Sequence, residues 1–286
     1  MQCQNGNFKS RAIGAIGALA LAASFNVQAN IANNIVDVWN VNVNTIFDTN
    51  SICDSSGDCT SPTGVSVVNN KSLRWGSGSS GQSGLDISNS PSSANVLTNG
   101  PAVPNVSITH LNRPINGLTL SSLIIDSILT LTPVTPSGAG LPAALVTFPV
   151  NYLETPNGDN PCADGGANGI GVNINGCADI YVTSTTALNF PFFYDLDGPG
   201  GLAPVQYFIS FFEQTNGLNP LPAAACASVG VASPCLGFET PEGADTTVQF
   251  ASLITTQPVA IIPEPGSLAL VGLALAAFGL RRRQSH

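Results

Sequence analysis

Ile35 to Phe47 (IVDVWNVNVNTIF) alternates with a period of two. Val36, Val38, Asn40, Asn42 and Asn44 face one way, and Asp37, Trp39, Val41, Val43 and Thr45 face the other. That period predicts a half-buried strand, although its apolar partition is incomplete. Further on, Val106, Ile108 and His110 alternate with Ser107, Thr109 and Leu111, and Asn116-Gly117 marks a turn. Leu118 to Leu131 is a long β-prone run closed by Pro133 and Pro136, read as one bent strand or two short ones. Ala143 to Thr155 puts Phe148, Val150, Tyr152 and Glu154 on one face. Ala178–Thr185, Phe190–Tyr194, Val205–Gln214 and Thr246–Thr256 supply further short strands. Turn clusters separate them at Ser55–Gly64, Gly76–Gly84 and Pro156–Gly176. The expected fold is all-β, an antiparallel two-sheet sandwich of jelly-roll type with roughly eight to ten strands.

Both ends break this pattern. Lys9 and Arg11, the apolar stretch Ala12–Phe25 and Val27-Gln28-Ala29 before Asn30 read as a secretory signal peptide over residues 1–29. A retained N-terminal anchor is the alternative. At the other end, Pro263-Glu264-Pro265 opens an uncharged stretch that closes on Arg281, Arg282 and Arg283. The prolines disfavour helix before them, so a short apolar helix begins at or after Pro265. GSLALVGLALAAFGL spans about 22 Å as a helix, against a hydrocarbon core of roughly 30 Å. Snorkelling arginines or local thinning close that gap, and the positive cluster stays on the cytoplasmic side. Three segments result: the signal peptide at 1–29, an exported β-sandwich domain at 30–258 and a sorting segment at 259–286.

Pro263, Glu264 and Pro265, a short transmembrane helix and the cluster Arg281–Arg283 resemble the bacterial PEP-CTERM sorting signal. The resemblance implies an exosortase as processing partner, transient residence in the inner membrane, and a cell-surface or extracellular destination. The marginal span and its three glycines fit a processed signal better than a permanent anchor. Thr109-His110-Leu111-Asn112 resembles the motif of the THxN family of PEP-CTERM proteins, as do Arg74-Trp75-Gly76 and FISFFEQTN from Phe208. That family implies no catalytic activity, so Thr109, His110 and Asn112 carry no assigned role from it.

Between residues 30 and 262, Lys71, Arg74 and Arg113 stand against sixteen acids, a formal charge of −13. So acidic a surface excludes nucleic acid as partner and suits solubility after export. Six cysteines form three sequence-local pairs, Cys53 with Cys59, Cys162 with Cys177 and Cys226 with Cys235. Each pair brackets a loop of small or turn-forming residues, the pairing expected of disulfides in an exported chain. Zinc is disfavoured, because the chain has no Cys-x-x-Cys and its body a single histidine.

Candidate chemistry is sparse. His110 would have to serve any Ser-His-Asp arrangement, and no Gly-x-Ser-x-Gly elbow accompanies it. The preferred reading is a strand histidine bonded to a neighbouring hydroxyl or carbonyl, with Thr109 and Asn112 as polar partners. Asp195-Leu196-Asp197-Gly198 is the best metal candidate, for calcium, with Glu213 or the Asp159–Asp164 loop as further ligands. Crowded aromatics at Phe190–Tyr194 and Tyr207–Phe212 read as sandwich core. The expected function is a non-enzymatic, exported surface or extracellular-matrix component of an exopolysaccharide biofilm, without a cofactor. The alternative is a calcium-dependent carbohydrate-binding module or glycan-active hydrolase.

Overall fold

The alternation in IVDVWNVNVNTIF becomes the first strand, β1 (Val38–Asp54), with Trp39, Val41, Val43, Thr45 and Phe47 pointing inward. The computed structural model describes residues 34–183, 189–198, 201–215 and 218–259. The signal peptide and the Pro263–Arg283 segment therefore lie outside the described residues. Short strands follow: β2 (Val65–Asn69), β3 (Ser72–Trp75), β4 (Ser83–Ser88) and β5 (Ser92–Leu97). Next come β6 (Val103–Leu111), β7 (Leu120–Thr135), β8 (Ala144–Leu153) and β9 (Asp179–Thr183). The last are β10 (Phe190–Tyr194), β11 (Val205–Glu213), β12 (Asn219–Pro220), β13 (Leu236–Thr240) and β14 (Asp245–Thr255). Among the described residues the one α-helix is the six-residue α1 (Ala223–Ser228), between β12 and β13.

These strands make two antiparallel sheets of seven strands each. One runs β12-β13-β9-β8-β7-β1-β5 and the other β10-β11-β14-β6-β4-β3-β2. Fourteen described strands exceed the eight to ten expected. The surplus is short, such as β2, which buries only Val65 and leaves Val67 and Val68 exposed, so it carries no two-sided pattern to read. Leu120–Thr135 is one strand, not two, because it pairs along its length with β1 from Thr135 to Leu120. Register shifts near Asp48 and Cys53 absorb the irregularity on the β1 side. The Gly76–Gly84 loop is cut short by β4, whose Ser83 and Leu85 are buried.

Side chains from the two facing sheets fill the space between them, with Trp39, Trp75 and Tyr207 among the largest fully buried. Trp39 takes edge contacts from Phe192, Tyr194 and Tyr207 at 5.2–5.3 Å between ring centroids. The aromatic strands thus feed the core, with Phe193 facing solvent. A second, smaller cluster covers the back of β9, where Ile180 and Val182 pack on Ala225, Cys226 and Cys235. All three cysteine pairs are bonded as the sequence predicts. No helix among the described residues is long and apolar enough to cross a membrane.

Candidate functional site, a buried polar cluster between the sheets

His110 enters the interior because Val106 and Ile108 commit the same face of β6 to the core. Asn112, two residues on, keeps that direction just past the strand end. Both are fully buried. Trp75, the last residue of β3, joins them from the same sheet and stacks on the imidazole at 6.0 Å. The facing sheet contributes Tyr152 from β8, Glu154 just beyond it, and Asp179 at the start of β9.

Tyr152 is the hub. Its phenol oxygen lies 2.8 Å from His110 Nε2, 2.7 Å from Asp179 Oδ2 and 3.1 Å from Glu154 Oε2. Trp75 Nε1 donates to the same Glu154 oxygen at 2.8 Å, and the Thr155 amide donates to Asp179 Oδ1 at 2.9 Å. A phenol has one hydrogen, so it donates to one of the three and accepts from the others. Whichever tautomer His110 takes, at least one of the two carboxyls must then carry a proton. Electrostatics agree. Burial raises Asp179 well above the usual carboxylate range, and the Glu154 charge adds to the effect. Burial likewise raises Glu154 to about 7, with the Trp75 and Tyr152 hydrogen bonds working against it. Burial lowers His110 to about 3, helped by the positive Arg113, so the ring is neutral although Asp179 Oδ2 is only 3.7 Å away. Glu242, also raised by burial, adds its negative field to both carboxyls.

Asn112 makes a second tie between the sheets, donating from Nδ2 to the Thr240 carbonyl of β13 at 3.0 Å. Thr109 points the other way and pairs at the surface with Thr247 at 2.9 Å. Neither Thr109 nor Asn112 is the partner of His110, contrary to the sequence-based expectation. Strand geometry explains the correction: adjacent side chains leave on opposite faces, and the imidazole reaches across the interlayer instead. Asp179 had escaped notice, although its position two residues before Tyr181 on one strand face was a usable signal. Tyr152 and Glu154 were placed on a common face, as found, but without a partner.

The other candidate residues do not join this cluster. Asp195 accepts the Gly198 amide at 3.0 Å and Asp197 the Leu202 amide at 2.8 Å, ordinary turn contacts. Glu213 instead accepts from the Thr215 amide and hydroxyl, and Asp164 from the Gly166 amide and Asn173. Among the described residues no three His, Cys, Asp or Glu side chains are gathered for a metal ion. The body's three cations are engaged: Arg74 with Asp86, Arg113 with Asp245, and Lys71 with the Ser90 carbonyl. Pro263, Glu264, Pro265 and Arg281–Arg283 lie outside the described residues.

The cluster holds an imidazole, a phenol and two carboxyls in contact through Tyr152, while His110 Nδ1 and Asn112 Oδ1 are buried without a partner. His110 and Asn112 are 0 % exposed, Asp179 1 % and Tyr152 3 %, and Glu154 alone keeps partial solvent contact. What the arrangement achieves is attachment, joining β3 and β6 of one sheet to β8, β9 and β13 of the other.

Residues 262–283 match the PEP-CTERM protein-sorting motif. The match covers the C-terminal segment and indicates exosortase-dependent sorting to the cell surface. Comparison with curated proteins gives no match to the chain.

Proposed function

We propose that this chain is an exported β-sandwich of the THxN type, delivered by its signal peptide and its PEP-CTERM segment. At the cell surface or in an exopolysaccharide matrix it serves as a non-enzymatic structural or adhesive component. The observation that carries this reading is the burial of the His110 cluster, where acid, base and phenol meet among the described residues. A sorting address joined to a body whose acid-base cluster is buried and bridges two sheets supports a building element over a catalyst. Three local disulfides and a strongly acidic surface suit such a life outside the cytoplasm.

Processing belongs to the same reading. The exosortase cuts near Pro263-Glu264-Pro265, and Arg281–Arg283 hold the precursor in the inner membrane until then. Intact-mass measurement on protein recovered from the cell surface tests this. The expected species lacks Leu280 through His286, and replacing Pro263 and Pro265 with Ala leaves the precursor uncut. A surface species with an intact C-terminus refutes the sorting route. Hydrolysis of a glycan substrate that is abolished by His110→Ala, in protein that still folds, refutes the non-enzymatic role. A thermal melt with and without calcium addresses the carbohydrate-binding alternative, which predicts stabilisation by calcium at the Asp195–Gly198 turn.

A further inference from the structure

Between the sheets, beside the polar cluster, lies a separate cavity of about 320 Å³. One wall is made by Leu236, Tyr181, Phe148, Ile125 and Val43. These sit on β13, β9, β8, β7 and β1, five consecutive neighbours in their sheet. At about 4.8 Å between strands, the wall runs for roughly 19 Å. The opposite wall is Val106 and Ile108 of β6, Phe250 of β14 and Phe211 of β11, again adjacent strands. So small a volume over so long a wall describes a narrow slot. A rounded apolar cavity of about 150 Å³ accepts benzene, so this slot takes roughly a dozen non-hydrogen atoms in extended form.

Polar groups in the lining are largely satisfied by one another. Thr45 and Ser127 exchange a hydroxyl hydrogen bond at 2.8 Å. Asn105 donates to Ser252 at 2.7 Å and accepts the Val106 amide. Tyr181 is different. It is 3 % exposed, its ring is fixed against Phe238 at 4.5 Å, and no described group bonds its hydroxyl. Tyr181 lines the cavity, and burial alone perturbs its phenol, with no hydrogen bond contributing. A buried, immobilised donor with no partner is suited to a ligand oxygen. Burial raises the phenol's pKa, which keeps it protonated as a donor.

Charge narrows the ligand class. The described lining holds no Lys, Arg or His, and its one carboxylate, Glu213, sits half-buried among its Thr215 and Leu218 partners. An anionic ligand would meet negative charge and no counter-charge. We propose that this slot binds an uncharged medium-chain aliphatic alcohol or ester, its chain lying along the five strands and its oxygen bonded to Tyr181. This adds a small-molecule ligand to the surface role argued above and does not depend on it.

Titration calorimetry on the disulfide-bonded protein tests the proposal, with decan-1-ol and methyl decanoate as probes and decanoate at pH 8 as control. The expected result is saturable one-to-one binding of the two neutral probes and at least tenfold weaker binding of decanoate. Tyr181→Phe should weaken the neutral probes roughly three- to tenfold. Val43→Phe, which fills the slot, should abolish binding while the melting temperature holds. Leu236→Trp, filling the half-buried end, serves the same purpose if Val43→Phe fails to fold. No saturable binding of either neutral probe overturns the proposal. So does decanoate binding as tightly as decan-1-ol, or binding that survives in a folded, slot-filled variant.

Discussion

Replacing Tyr152 with Phe removes one oxygen and leaves the ring in place. That oxygen bonds both His110 Nε2 and Asp179 Oδ2. Glu154 keeps its bond from Trp75, and Asp179 Oδ1 keeps the Thr155 amide. Two buried polar atoms therefore lose this bond, each costing about 1–3 kcal/mol. Some of this is offset, since the phenol's own burial cost disappears and the carboxyl proton can shift to the other acid. A loss of about 3 kcal/mol follows. In a domain of this size each kcal/mol lowers the melting temperature by roughly 2–4 °C, so the variant should melt about 6–12 °C lower. Thr109→Val is the matched control within the same motif, because its exposed pair with Thr247 contributes within about 0.5 kcal/mol. Thermal and urea unfolding, followed by near-ultraviolet circular dichroism, measure both variants. If Tyr152→Phe melts within 2 °C of the parent, or above it, the three contacts are not a cooperating network and the reasoning fails.

Three further outcomes are expected. Glu154 holds its proton to about pH 7 when folded against an ordinary 4.5, so its contribution is present below pH 4.5 and lost as pH rises to 7. Asp179 acts in the same sense. His110, held near 3 against 6.5, contributes above pH 6.5 and loses that as pH falls toward 3. With two acids opposing one base, urea midpoints should be lower at pH 8 than at pH 5.5, and Glu154→Gln should narrow the difference. Asn112→Ala strips the Thr240 carbonyl of its cross-sheet donor and should cost about 2 kcal/mol in urea unfolding, well beyond Thr109→Val. Opening the Cys226–Cys235 bridge by a double Ser substitution frees a nine-residue separation and should cost about 2–3 kcal/mol by the same assay. Limited proteolysis should then cut first near α1, which the bridge holds over Ile180 and Val182.

Much about this protein follows from rules that act over a few residues. The period of two in β1 and β6 puts Trp39, Val41 and Val43 on one face, and likewise Val106, Ile108 and His110, before any partner strand is known; the structure turns both faces inward. The cysteine pairs are legible because each closes a short loop, and the C-terminal address because prolines, an apolar stretch and arginines follow in sequence order. The His110 cluster obeys no such rule. Its partners stand 42 residues away at Tyr152 and further still at Asp179, delivered by the order in which strands join two sheets. The same holds for β9, where every residue from Asp179 to Val182 is buried because α1 and a disulfide cover its second face. It holds also for the slot under Tyr181, whose five-strand wall draws on residues from Val43 to Leu236. Strand pattern decides which way a side chain points. What it meets about 10 Å away, and hence whether a carboxyl there keeps its proton, is decided only when the second sheet closes over it.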